Sequence, residues 1–134
     1  MAERYQAASI KTMGAAYYIA LEKDIAGLDP LMDGKSLSRH IDTLDAVARQ
    51  LGVRPLSEFI SMDADALADL IGDDAEGIEV PPLKQFPAQD GLATIRALLP
   101  RPEAQPALHD LKDCERILQA AAEQGTGWHF EIDI

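Results

Sequence analysis

The chain has 134 residues, 47% of them apolar and 26% charged, which suits one ordinary hydrophobic core and excludes both a disordered chain and a membrane span. Twelve Lys and Arg against 23 Asp and Glu leave a net charge of −11, the wrong sign for nucleic acid or an anionic membrane. A single cysteine excludes an internal disulfide, and the first residues carry no apolar signal stretch, so the expected compartment is the cytoplasm.

Residues 1–13 carry little pattern and read as a mobile N-terminal extension on a single domain of residues 14–134. In AAYYIALE, residues 15–22, Tyr17, Ile19 and Leu21 alternate with Tyr18, Ala20 and Glu22, a period of two that predicts a strand. Turn formers follow, among them Asp29-Pro30 and Asp33-Gly34. A helix is expected from Leu37 to Leu51, capped by Ser36 or Ser38. Its apolar face is Leu37, Ile41, Leu44, Ala48 and Leu51, with Asp45 and Arg49 pointing outward, and Gly52 and Pro55 stop it. A helical turn at 56–60 precedes a short helix capped by Ser61 or Asp63 and ending near Ile71.

Pro81-Pro82 and Pro87 keep the next segment irregular, and Asp90 then caps a helix burying Leu92, Ile95, Leu98 and Leu99. The longest helix is predicted over 107–124, with Leu111, Cys114, Leu118 and Ala121 inward. The chain closes on GWHFEIDI, where Trp128, Phe130, Ile132 and Ile134 alternate with His129, Glu131 and Asp133. The expected fold is therefore α+β, with four or so helices packed on a small antiparallel sheet formed by the N- and C-terminal strands. Two strands make a marginal sheet. Either residues 78–80 add a third, or two copies of the chain complete the sheet as a homodimer through an edge strand.

Residues 58–79 hold eight acids and no lysine or arginine. Hard cations prefer oxygen ligands, but the spacing matches no calcium loop, and Asp63 and Asp65 diverge by about 200° around a helix. The stretch reads as a solvated acidic face, with Asp65, Asp69, Asp73, Asp74 and Glu76 as the residues that would meet a basic protein partner. Ser38, His40 and Asp42 lie close in sequence, yet residues i, i+2 and i+4 of a helix do not converge as a triad must. His109 and Asp113 share a helical face but supply too few donors for zinc, and Cys114 turns to the core.

The last strand offers a different grouping. His129, Glu131 and Asp133 share one face, as do Tyr18 and Glu22 on the first strand. In a suitable antiparallel register a Tyr–His–Glu cluster would form across the sheet, able to move protons or hold a cationic group. The alternative is a plain solvent face of a half-buried sheet. No nucleotide-binding, zinc or hydrolase motif occurs, and no cofactor or metal is expected. These features point to a non-enzymatic protein-binding module, an inhibitor, immunity-type protein or adaptor. The alternatives are a small-molecule-binding domain or minor enzyme using Tyr18, His40, His129 and Glu131, and a structural subunit assembling through its C-terminal strand.

Overall fold

A computed structural model describes residues 15–62 and 82–133. The expected extension at 1–13, the short helix to Ile71, the strand at 78–80 and the acids from Asp63 to Glu79 lie outside the described residues. What is described is α+β. Strand β1 (Ala16–Leu21) leads to helices α1 (Lys35–Arg39) and α2 (Ile41–Leu51) and a 3₁₀ turn at Leu56–Phe59. Helix α3 (Ala88–Leu98), a second 3₁₀ turn (Pro102–Ala107), helix α4 (Leu108–Gln124) and strand β2 (Trp128–Asp133) complete it.

The two strands pair antiparallel in the register Tyr18↔Glu131, Ala20↔His129 and Leu21↔Trp128. A two-stranded sheet needs help, and irregular segments supply it on the far edge of β2. Phe86 N–H donates to the Trp128 carbonyl at 2.7 Å and Trp128 N–H returns the bond at 3.0 Å, while Ser61 N–H donates to the Phe130 carbonyl at 3.1 Å. One face of the sheet carries Tyr17, Ile19, Trp128 and Phe130 into the core. There the chain's three phenylalanines and its one tryptophan meet. Trp128 stacks on Phe59 at 4.8 Å and meets Phe130 edge-on at 4.9 Å, and Phe59 meets Phe86 at 5.2 Å. Edge-on aromatic pairs of this kind add about 0.5–1.5 kcal/mol each beyond the area they bury. The Arg54 guanidinium closes the cluster from outside, 5.1 Å over Phe59 and 4.9 Å over Phe86.

The single helix expected over 37–51 is two helices, broken at His40, whose backbone (φ −111°, ψ 14°) leaves the helical region. Leu37 and Ile41, on either side of the break, are both in the core. Neither serine caps α1. Gly34 occupies the N-cap position in the left-handed region at φ 74° and has no side chain to offer. The buried carboxylate of Asp110 on α4 does the capping instead, accepting from Gly34 N–H at 3.1 Å and Leu37 N–H at 2.9 Å. Gly34 is fixed for a second reason: a Cβ there would lie 1.8 Å from the Tyr17 carbonyl oxygen. Three further expectations are corrected. Asp45 is buried, not outward, and accepts from Ser57 N–H at 3.3 Å, which ties α2 to the turn after it. Leu51 is 41% exposed, its place in the core taken by Val47. Helix α3 starts at Ala88 behind Pro87, so Asp90 sits in its first turn rather than at its cap.

None of the described helices is long and apolar enough to cross a membrane.

Candidate functional site

The Tyr–His–Glu cluster forms. Because Tyr18 stands opposite Glu131 on the sheet face away from the aromatic core, its hydroxyl donates to Glu131 Oε1 at 2.7 Å. Two residues along the same strand face, His129 Nε2 meets Glu131 Oε2 at 2.6 Å, and His129 Nδ1 meets Gln85 Oε1 at 3.0 Å. Both ring nitrogens of His129 therefore lie at hydrogen-bond distance from a polar partner, Glu131 on one side and Gln85 on the other. Glu131 thus receives two charge-assisted or phenolic donors, the shorter and stronger class of hydrogen bond.

The expected solvent face is not open at this point. His129 is only 2% exposed, although its neighbours Tyr18 and Glu131 are half-buried. Gln85, in the irregular run before Phe86, accounts for one ring nitrogen. It is the member of the network that sequence reading missed, since nothing in LKQFP marks a residue that will fold over the last strand; only the Phe86–Trp128 pairing brings it there. Both nitrogens of His129 are thus engaged within the network. The network is a rigid brace whose outer members, Tyr18, Glu131 and Gln85, reach the surface.

The remaining candidates do not join it. His40 stands half-buried at the break between α1 and α2 and takes no part in the network. Asp133 is exposed at the end of β2. His109 forms an exposed pair with Asp113 at 3.5 Å, and Arg116 bonds Asp113 at 3.5 Å while donating to the Asp29 carbonyl at 2.7 Å. Cys114 is fully buried against Met32, 3.9 Å between sulfurs. Burial, with Asp110 and Asp113 nearby, pushes its thiol well above the usual range. Among the described residues no group of three or more potential ligands is placed to hold a metal ion. Of the acidic stretch only Glu58 falls in the described residues, exposed and 3.5 Å from Arg54. Asp65, Asp69, Asp73, Asp74 and Glu76 fall outside them.

Beyond Gln85 the surface opens into a cleft of about 370 Å³. Gln85 and Glu22 stand on its rim, the first turn of α3 forms one wall and the last turn of α4 the other. Gly127 is what lets these parts close up. A Cβ there would lie 3.1 Å from Gln85 Cβ, 3.1 Å from Glu22 Oε1 and 3.4 Å from the Phe86 carbonyl oxygen. The chain matches no protein-family model, no curated protein and no solved structure.

Proposed function

We propose that this protein is a non-enzymatic binding module that recognises a basic protein partner, in the manner of an inhibitor, immunity-type protein or adaptor. The observation that carries this reading is the charge: a net −11, with eight acids and no base between residues 58 and 79. Complementary charge accelerates encounter and selects partners. The brace of Tyr18, Glu131, His129 and Gln85 is consistent with a scaffold role, because both nitrogens of the best-placed base are spent on its neighbours. That weighs against the rival reading of an acid–base pocket at Tyr18, His129 and Glu131. Assembly through the C-terminal strand is disfavoured as well, since Phe86 and Ser61 occupy the edge of β2 that β1 leaves open.

The test begins with affinity capture of the tagged chain from its own cell extract at low and elevated salt. A stoichiometric basic partner released by salt is the expected result. Reversing the charge of Asp65, Asp69, Asp73 and Asp74 together should then slow association at least tenfold at low salt, within the range over which electrostatic steering acts. An unchanged association rate overturns the acidic stretch as the recognition surface.

A further inference from the structure

Gly34 is the residue at which three elements meet. Its carbonyl accepts from Tyr17 N–H on β1 and from Ser38 N–H on α1, each at 3.1 Å. Its own N–H donates to Asp110 Oδ1 on α4 at 3.1 Å. Gly34 is buried and Asp110 is 2% exposed, so this N–H is shut away from solvent. The residue before it, Asp33, is exposed and belongs to no helix or strand.

An aspartate followed by glycine carries a reaction that needs no enzyme. The glycine nitrogen, unshielded by any Cβ, loses its proton and attacks the aspartate side-chain carboxyl carbon. One carboxyl oxygen leaves as water, and a five-membered succinimide closes. Water then opens the ring on either side of the nitrogen. Breaking the bond to the side-chain carbonyl restores aspartate. Breaking the bond to the α-carbonyl leaves isoaspartate, with one extra backbone carbon and the same mass. The sequence holds two such pairs, Asp33–Gly34 and Asp90–Gly91. The second lies inside α3, whose regular backbone holds its glycine amide in the helical ladder. The first lies outside regular structure, and there the bond to Asp110 occupies the attacking amide. The carboxylate also opposes loss of the amide proton, because a second negative charge would form beside it in a buried place.

We propose that Asp33 is a site of isoaspartate formation that the Asp110 cap holds closed. In the docked fold the Gly34 amide keeps its proton, and the reaction is suppressed. When α1 leaves α4 the amide meets water and the ring closes. The product cannot resume the native arrangement. An extra backbone carbon before Gly34 must displace that residue, and the surroundings leave no room, since even a Cβ there would lie 1.8 Å from the Tyr17 carbonyl oxygen. A displaced Gly34 also loses its bonds to Asp110, β1 and α1 together. The modification therefore makes the undocking of α1 permanent and places an α-carboxylate on an exposed segment. It uses no residue of 58–79, so it stands or falls separately from the acidic recognition surface.

Incubation of the full chain near neutral pH tests it, with isoaspartate measured in peptides at Asp33 and, as an internal control, at Asp90. In urea both pairs are free and should react at similar rates. In native buffer Asp33 should react at least about tenfold more slowly, because only molecules with α1 undocked contribute. Asp110→Ala should bring Asp33 to within a few-fold of its rate in urea while Asp90 stays slow. If that variant unfolds throughout, Asp90 accelerates with Asp33, and the comparison passes to Asp110→Asn, which keeps one acceptor oxygen and should give an intermediate rate at Asp33 alone. Chain isolated with isoaspartate at position 33 should lose hydrogen-exchange protection at Gly34 and Leu37, the two amides that Asp110 accepts. The proposal is overturned if Asp33 forms no isoaspartate even in urea, or forms it as fast in native buffer. It is equally overturned if neither Asp110 substitution accelerates Asp33 relative to Asp90, or if the isoaspartyl chain keeps both amides protected.

Discussion

Ser38 illustrates how one side chain can be in the right sequence context and the wrong place. As a serine near a helix start it invites reading as an N-cap, yet it lies inside α1, 1% exposed, with its Oγ bonded to nothing among the described residues. A buried hydroxyl without a partner costs about 1–3 kcal/mol relative to solution. Ser38→Ala removes that cost and leaves a small void, so we expect the variant to be as stable as the parent or about 1 kcal/mol more stable by urea unfolding. A loss of more than about 1 kcal/mol would mean that the hydroxyl is bonded after all. Cys114 makes the companion case. With its thiol held neutral by burial and by Asp110 and Asp113, it should resist a disulfide reagent at pH 8 in the folded protein and react at once in denaturant. Rapid reaction without denaturant would show the α4 core opening readily.

At the scale of elements, the strands were legible and the connections between them were not. Period-two alternation located β1 and β2 and put Tyr18, His129 and Glu131 on one face, because alternation follows directly from strand geometry. It said nothing of Gln85, or of how fully His129 would be covered, because those depend on which irregular segment crosses the sheet. The periodicity of 37–51 ran unbroken through His40, with no glycine or proline to announce the break. Asp110 was equally silent: an acid in a helix's first turn looks like an ordinary partner for that helix's own dipole. Its carboxylate instead caps α1 from 73 residues away in sequence. Asp110→Ala would leave two buried N–H groups without acceptors and should cost about 2–5 kcal/mol in urea unfolding, with hydrogen exchange accelerated first in α1. Asp110→Asn, which keeps one acceptor oxygen, should cost clearly less. If both variants unfold at the same urea concentration, the carboxylate is not what holds α1 to α4.

For the whole molecule the controlling quantity is the charge excess, and it acts in opposite senses on folding and on binding. A net −11 on 134 residues sets carboxylates against one another in the folded state more than in the expanded chain, which destabilises the fold. Local pairs such as Arg96–Glu115 at 3.1 Å and Arg101–Glu103 at 3.4 Å work the other way, but they are partly or largely exposed and contribute little each. Repulsion summed over the surface should therefore outweigh attraction summed over pairs. Raising NaCl from about 20 mM to about 500 mM shortens the screening length from roughly 20 Å to a few ångströms, which removes the long-range repulsion before it removes contacts at hydrogen-bond distance. The thermal midpoint of the isolated chain should accordingly rise by a few degrees across that range, while the same salt should release a basic partner. A midpoint that falls with salt would mean that the ion pairs dominate and the acids are already compensated within the fold. In that case residues 58–79 would not be free to meet a partner, and the proposed mode of recognition would have to be abandoned.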